Sequence, residues 1–261
     1  MKLYKYRSLS DQPVSGGGLT DIEKVRKTIL NHELWFASPN TFNDPFDCFP
    51  SIIGSGTKKE KLKFMHETLK RNFPEKSRRE IREIAKKRMS EGLSLQESFD
   101  GVDLREKFEI HKVFCLSETK KSILMWSHYA NNHKGICLGF EGMEKHSIFG
   151  MAQKVNYNEE LLTINWLTDD FYNQIPKKLI QAFFEKSEHW KYEKERRILH
   201  PNNRSMDTYK PGELKQIILG AEISDNDREH VMSWHDQLIH KPELLQARLH
   251  PRKYEMEIIS I

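Results

Sequence analysis

The stretch WKYEKERRIL, residues 190–199, sets two glutamates one residue apart between aromatic side chains and a pair of arginines. As a helix it would form an ordinary exposed ion pair between Glu193 and Arg197, four residues further on. As a strand it projects Glu193, Glu195 and Arg197 on one face, because alternate residues of a strand point the same way. The preceding segment, 171–188, is amphipathic and long enough for one helix, so a strand after it is favoured. Because unpaired carboxylates are costly in a core, that face must meet solvent, a salt-bridged cluster or a cleft.

Length and composition indicate a folded protein of ordinary size. At 261 residues, we expect a single domain over 1–261 with a helical insertion at 57–108. The chain is 37% hydrophobic and 31% charged, and its aromatic content of 10% is too high for a disordered chain. No apolar run reaches membrane-spanning length, and the first residues lack the apolar stretch of a secretory signal. We therefore expect a cytoplasmic location and no membrane partner.

Strand-like and helix-like segments alternate along the rest of the chain. A helix is expected between Thr20, which with Glu23 forms a capping-box pattern, and Asn31, and further helices are expected over 95–108 and 125–130. Strands are predicted at 3–7, 34–37, 111–117, 136–140, 153–157, 191–199, 215–219 and 254–259. This alternation predicts an α/β (mixed α+β) fold with helices around a central mixed sheet. We expect that sheet to contain the strands at 3–7, 34–37, 111–117, 136–140 and 191–199.

The stretch 57–89 is strongly basic. It holds thirteen Lys or Arg and five Glu, a local net charge of +8 in a chain whose total is +4. Two sets of apolar residues recur at helical spacing on either side of Pro74, which predicts an inserted basic helical hairpin. A solvated insertion is favoured, because glutamates are interleaved and no aromatic residues stand among the basic positions to stack on bases. The alternative is a binding surface for nucleic acid or an acidic partner.

Two loops beside predicted elements carry candidate ligand contacts. In SPNTFNDPFD, residues 38–47, Asn43 and Asp44 either cap and turn a rigid loop or contact a ligand, and both interpretations stay open. In MWSHYANNHKG, residues 125–135, aromatic residues lie on one helical turn before a polar loop. Aromatic residues at this spacing are usually part of a core, so a core role is favoured there.

Arg7 ends the first predicted strand. A guanidinium in that position can hold a phosphate or a carboxylate through two parallel hydrogen bonds. We therefore include Arg7 among the candidate ligand-binding residues. The three cysteines are isolated in the sequence and lack metal-type spacing, so we interpret them as small core residues.

Together these stretches resemble a large prokaryotic family catalogued as domain of unknown function twenty-nine seventy-one. The blocks that carry the resemblance, in order, are YKYR (4–7), LWFASPNTFNDPFD (34–47), CLSE (115–118) followed by MWSHYANNHKGICLGF (125–140), and WKYEKERRI (190–198). The resemblance implies little chemistry. It does imply an association with phage-defence and mobile-element genes, and hence a toxin or defence effector.

The chain also resembles mono-ADP-ribosyltransferases. Their pattern has an arginine or histidine on a first strand, a serine or tyrosine element on a later strand, and a glutamate, often in an E-x-E pair, on a further strand. Here Arg7 matches the first element, Ser38 or Ser117 the second, and the pair Glu193 and Glu195 the third. The resemblance implies that Glu195 is catalytic and that Glu193 orients the acceptor, with NAD as the substrate. The candidate NAD-binding residues are Tyr6, Arg7, Ser38, Asn43, Asp44, Ser117, Trp126 and Tyr129.

Three classes of function remain open from the sequence. The favoured one is an NAD-using ADP-ribosyltransferase or NAD-consuming toxin, which needs no metal and modifies an unknown macromolecular acceptor. The second is a metal-dependent nuclease in which Asp44, Glu193 and Glu195 bind a divalent cation and the basic hairpin holds nucleic acid. The third is a non-catalytic binding module, in which the same polar residues form a ligand pocket or a buried salt-bridge network.

Overall fold

The computed structural model of the chain describes residues 2–12, 18–90, 108, 110–142, 146–169 and 173–261. The strands are β1 (Leu3–Arg7), β2 (Glu33–Trp35), β3 (Ser51–Ile53), β4 (Val113–Ser117), β5 (Ile136–Phe140), β6 (Gln153–Lys154), β7 (Asn156–Asn158), β8 (Thr163–Asn165), β9 (Glu185–Ser187), β10 (Glu195–Leu199), β11 (Met206–Thr208), β12 (Leu214–Leu219), β13 (Glu243–Leu249) and β14 (Met256–Ser260). The α-helices are α1 (Asp21–Asn31), α2 (Lys58–Asn72), α3 (Arg78–Ser90), α4 (Ile123–Tyr129), α5 (Gln174–Ala182) and α6 (Asp225–Gln237).

An eight-stranded mixed sheet organises the molecule. Its order is β14-β13-β12-β5-β1-β4-β10-β6, and β12 and β13 are its parallel pair. The predicted mixed α/β fold with a central mixed sheet is therefore confirmed. The predicted strands at 3–7 and 136–140 coincide with β1 and β5, and those at 111–117 and 215–219 contain or overlap β4 and β12.

The sheet is covered on both faces, which explains the near-continuous apolar sequence of its central strands. Every residue of β5 is buried. On one face, Leu138 packs in a hydrophobic cluster with Ile29 of α1 and Val231 of α6. On the other face, Cys137 packs in a second cluster that includes Trp126 of α4. The sheet therefore holds β1, β4 and β10 rigidly side by side.

The segment at 34–37 is not part of this sheet, so that prediction is wrong. β2 pairs with β11 in a separate two-stranded sheet, and only Ala37 forms an isolated bridge to Val113. β10 pairs with the whole length of β4 on one side, and on the other side β1 pairs with it at Ser117, so the segment after β2 reaches β4 only at Val113.

The predicted start and end of the first helix are confirmed. The Thr20 hydroxyl accepts the amide of Glu23 at 3.3 Å, and the Glu23 carboxylate accepts the amide of Thr20 at 2.7 Å. This reciprocal pair satisfies two of the donors that a helix start leaves open. The helix ends at Asn31, and His32 takes a left-handed conformation with φ of 62°.

The basic stretch forms two helices, α2 and α3, that pack on each other. Their contact is a hydrophobic cluster of Met65, Leu69, Ile81 and Ala85, separate from the clusters of the main sheet. Phe64 links α2 to the rest of the chain, because its ring lies 4.9 Å from that of Trp166. The helix predicted over 95–108 lies outside the described residues, apart from Phe108.

The region around 171–199 differs from the prediction. The helix is shorter, at Gln174–Ala182, and it is followed by β9 and then by a 3-10 helix at Glu188–Glu193. Glu193 therefore ends a 3-10 helix and does not lie on a strand, because β10 begins only at Glu195. Lys194 between them has φ of 45°, a left-handed conformation that joins helix to strand. The part of the chain that the structure describes has no helix long and apolar enough to cross a membrane.

Candidate functional site

A cavity of about 400 Å³ opens where β1, β4 and β10 meet α4 and the loop that follows β2. Because the three strands are neighbours in the sheet, residues far apart in sequence reach it together. Tyr4 of β1 lies opposite Ser117 of β4, and Ser117 lies opposite Glu195 of β10. Its lining includes Tyr4, Lys5, Tyr6, Arg7, Trp35, Thr41, Phe42, Asn43, Asp47, Ser117, His128, Tyr129, Lys186, Glu193 and Glu195. We call this cavity the first pocket.

One wall of the first pocket is a buried cluster of five charged groups. The Lys186 ammonium lies 2.5 Å from Glu193, 3.2 Å from Glu195 and 3.4 Å from Asp47. The Arg197 guanidinium donates two bonds of 2.7 Å to Asp47 and two bonds of 2.9 and 2.8 Å to Glu195. Such two-pronged pairing is the strongest geometry that an arginine and a carboxylate can adopt.

This cluster contains three carboxylates and two cations, so it carries one excess negative charge when every group is ionised. Burial alone would raise the pKa of Glu195, but Arg197 and then Lys186 hold it at about 2. The pKa of Glu193 is instead raised, because burial and the charge of Glu195 outweigh the attraction of Lys186. Of the two carboxylates, Glu193 is therefore the stronger proton acceptor and Glu195 the weaker one.

Glu193 is held by groups from three other segments. The Tyr129 hydroxyl of α4 donates to its carboxylate at 2.5 Å, and Asn43 donates to the Tyr129 oxygen at 3.5 Å. The Ser117 hydroxyl of β4 donates to the Glu193 backbone carbonyl at 2.6 Å. Burial, followed by the charge of Glu193, raises the pKa of Tyr129, so that the tyrosine remains a hydrogen-bond donor. These contacts fix the position of the Glu193 carboxylate.

Two cationic residues of β1, Lys5 and Arg7, also line the first pocket. The Lys5 ammonium donates to the Cys115 carbonyl at 2.8 Å. Its pKa is lowered to about 8 by loss of hydration and then by the charge of Arg7. Within the described part of the chain, the Arg7 side chain makes no hydrogen bond and no salt bridge; loss of hydration lowers its pKa, and the charge of Asp21 acts in the opposite direction. An unpaired guanidinium beside a lysine is a ready binding site for an anionic group.

Seven of the residues predicted from the sequence line the first pocket: Tyr6, Arg7, Asn43, Ser117, Tyr129, Glu193 and Glu195. Three others lie elsewhere. Ser38 accepts a hydrogen bond from Lys112 and is not part of the lining. Asp44 lines a different cavity. Trp126 is fully buried in the core, where its indole donates to the carbonyl of Lys120 at 3.0 Å.

Sequence reasoning missed three residues that shape the site, namely Asp47, Lys186 and Lys5. Asp47 ends the loop sequence SPNTFNDPFD and could have been considered with Asn43 and Asp44. Lys5 lies two residues before Arg7 on the first predicted strand, so the two share a strand face and could have been considered together. Lys186 offered no signal, since it fell inside a predicted helix and reaches the cluster only because β9 replaces the end of that helix.

The arrangement gives little support to a metal site. No three His, Cys, Asp or Glu side chains among the described residues are grouped so that they could hold a metal ion. Asp44 lies apart from Glu193 and Glu195, and both glutamates already bind Lys186. The cations of the cluster thus occupy the position that a divalent ion would take.

Comparison with known proteins gives one match. Residues 125–198 match the model of a family described as "Protein of unknown function (DUF2971)". The matched part includes β5 and most of α4 and β10, and with them Tyr129, Glu193 and Glu195. It supports the resemblance drawn from the sequence blocks, although β1 and the loop 38–47 lie outside it. No curated protein and no solved structure matches the chain.

Proposed function

We propose that the chain is an NAD-cleaving enzyme of the mono-ADP-ribosyltransferase type. The observation that carries the proposal is the meeting of Arg7, Ser117 and Glu195 in one pocket. They lie on three neighbouring strands, β1, β4 and β10, in the chain order that the resemblance implies. Independent surface residues have no reason to converge in this way across 188 sequence positions.

The charge pattern of the first pocket suits NAD. Lys5 and Arg7 form a cationic wall for the diphosphate, and Glu193 and Glu195 form an anionic wall. Cleavage of the nicotinamide–ribose bond develops positive charge on the ribose, and a nearby fixed carboxylate stabilises that charge. The cavity volume of about 400 Å³ lies within the range of small-molecule sites.

The two glutamates have different roles in this proposal. Glu195, with its pKa of about 2, stays ionised and stabilises the oxocarbenium-like ribose. Nicotinamide leaves with the electrons of the broken bond, and a nucleophilic oxygen or nitrogen of the acceptor bonds to the ribose carbon. Glu193, with its raised pKa, takes the proton that the acceptor loses. The excess negative charge of the cluster favours both the positive charge that develops on the ribose and the transfer of a proton to Glu193.

The proposal is tested by nicotinamide release from labelled NAD, with and without cell extract, and by label transfer to protein or nucleic acid. Glu195→Gln removes the fixed charge, so we expect turnover to fall by ~100-fold or more with little change in NAD affinity. Glu193→Gln should spare hydrolysis by water and reduce transfer to the acceptor. Arg7→Ala should mainly raise KM, because a phosphate contact acts in ground and transition states alike.

Matched controls separate these effects from general damage. Glu229→Gln and Arg248→Ala change the same residue types at exposed positions remote from the pocket, on α6 and β13. Both should behave as the wild type. Unchanged turnover in folded Glu195→Gln protein would contradict the catalytic assignment, and absence of nicotinamide release from the wild type under every condition would contradict the proposal.

A non-catalytic binding module is the second candidate, and the buried cluster of Lys186, Arg197 and three carboxylates favours it. Under this alternative the cluster is structural, NAD or another anion binds without being cleaved, and Glu195→Gln only lowers the melting temperature. Calorimetric NAD binding without nicotinamide release would support the module over the enzyme.

A further inference from the structure

A second cavity, of about 490 Å³, lies on the far side of the loop that bounds the first pocket. Asn43 and Asp47 of this loop line the first pocket, whereas Asp44 and Phe46 line the second. Lys186 contributes to the lining of both. The loop and Lys186 therefore separate the two cavities, and the second cavity is lined by a different set of side chains.

The lining of the second cavity carries more acidic than basic side chains. It includes the carboxylates of Asp44, Glu159, Glu160 and Glu185, against the ammonium of Lys186. Lys186 is already neutralised by the buried cluster, since it pairs with three carboxylates of its own. Glu159 and Glu160 are exposed and form no ion pair with any residue that the structure describes. The cavity therefore attracts cations.

Asp44 points more specifically to a ligand. Its side chain is only 6% exposed, and it lines the cavity. One oxygen of its carboxylate accepts the amide of Phe46 at 2.9 Å, and among the described residues this side chain has no other hydrogen bond or ion pair. Buried carboxylates are normally paired, because an unpaired one loses its hydration without compensation. A cationic donor supplied by a ligand would complete the pairing.

The aromatic side chains of the second cavity favour a flat cation. Phe46 is 61% exposed, which is unusual for a large apolar residue beside a cavity, and Trp190 also lines the cavity. A guanidinium is flat, stacks on aromatic rings and donates two parallel bonds to a carboxylate, whereas an ammonium is compact and strongly hydrated. We propose that the second cavity binds a guanidinium-bearing group, as carried by an arginine side chain of a partner peptide.

The test uses N-acetyl-arginine amide as the probe and calorimetric titration of the full-length chain in the absence of NAD. N-acetyl-citrulline amide is the matched control, because it has nearly the same shape without the charge. We expect saturable binding of the arginine compound that weakens with added salt, and at least tenfold weaker binding of the citrulline compound. Because no NAD is present, the outcome is independent of the proposed enzymatic activity.

Variants assign the binding to this cavity. Asp44→Asn keeps an acceptor for the Phe46 amide but removes the charge, so it should weaken arginine-amide binding by about tenfold. The double variant Glu159→Gln with Glu160→Gln should weaken it too, and since both positions are exposed we expect it to remain folded. Glu229→Gln, which removes an exposed carboxylate on α6, should leave binding unchanged. Equal binding of the two compounds, wild-type affinity in both acidic-residue variants, or loss of binding in Glu229→Gln would overturn the inference.

Discussion

At the scale of single residues, Glu193 and Glu195 show how position decides the chemistry of identical side chains. They are two residues apart and share Lys186, yet the pKa of one is raised and that of the other is lowered. The difference is Arg197, which binds both oxygens of Glu195 and neither of Glu193. The E-x-E pattern shows that two carboxylates are close, but it does not show which one remains ionised.

Glu195 should make the fold sensitive to acid. Its folded pKa of about 2 lies below the ordinary value of 4.5, so its stabilising contribution is present above pH 4.5. The contribution is lost as the pH falls from 4.5 through about 2, where the carboxylate is protonated. We therefore expect the melting temperature of the wild type to drop steeply in this window, and Glu195→Gln to flatten the drop.

Because Glu195 lies in a buried cluster, Glu195→Gln should also be less stable than the wild type at neutral pH. Thermal melts between pH 7 and pH 2 on both proteins provide the measurement, with Glu229→Gln as the exposed control. Identical pH profiles for wild type and Glu195→Gln would show that the buried pair contributes nothing to acid sensitivity.

Lys5 should make substrate capture depend on alkaline pH. The pKa of its ammonium is lowered to about 8, so the free protein loses this positive charge above that pH. Under the proposed NAD cleavage, bound phosphate favours the charged lysine, so kcat should stay flat while kcat/KM for NAD falls as pH rises through 8. Lys5→Arg keeps the charge and should shift the fall to higher pH. An unchanged profile in Lys5→Arg would exclude Lys5 as the titrating group.

At the scale of elements, the sequence predicted the rigid backbone of the loop after β2 but not the directions of its side chains. Its prolines and Asx residues predicted a rigid turn, and a 3-10 turn at Pro39–Thr41 begins it. Its composition could not show that Asp47 and Asp44 face different cavities, because their direction depends on how the loop packs against β9 and β10. Local turn chemistry fixes the backbone, whereas tertiary contacts choose the partner of each side chain.

These two aspartates form a matched pair for a stability test. Both are buried in the same loop, but Asp47 pairs with Arg197 through two bonds, whereas Asp44 accepts one backbone amide. Asp47→Asn should lower the free energy of unfolding by about 3 kcal/mol. This is the lower end of the range for breaking a buried ion pair, because Arg197 still pairs with Glu195. Asp44→Asn should cost less than about 1 kcal/mol, since the acceptor remains.

Chemical denaturation of the two variants beside the wild type measures both free energies of unfolding. A larger loss for Asp44→Asn than for Asp47→Asn would show that the ion cluster is not the main constraint on this loop.

At the scale of the whole molecule, sequence patterns predicted the elements better than their partners. β1, β5 and the start and end of α1 could be predicted because their signals are local: apolar runs, a glycine, and a capping box. The exclusion of β2 from the main sheet could not, since it depends on which other strands pair with β4 and β2. The same limit applies to Lys186, whose place in the cluster requires β9 to pair with β7.

The basic hairpin of α2 and α3 raises the last question at this scale, which is whether the main fold needs it. Its two helices bury their apolar residues largely against each other, around Leu69 and Ile81, and Phe64 against Trp166 provides a contact with the remainder. An element with its own cluster contributes little to the main core, and closing the gap with a short linker adds only a modest loop entropy. We therefore expect deletion of 57–89, with a Gly/Ser linker in its place, to leave a folded protein with a cooperative thermal transition.

The deletion variant should lose helical circular dichroism, because α2 and α3 span 15 and 13 residues, and it should retain whatever nicotinamide release the full chain shows. Ile198→Ala is the contrasting variant: it truncates a fully buried side chain of β10 and should cost about 2–5 kcal/mol. If the hairpin were instead part of the central fold, its deletion would abolish the transition and damage the protein more than Ile198→Ala does. A deletion variant that melts cooperatively but no longer binds polyanions at low salt would assign the basic face to an acidic partner, because it separates binding from folding.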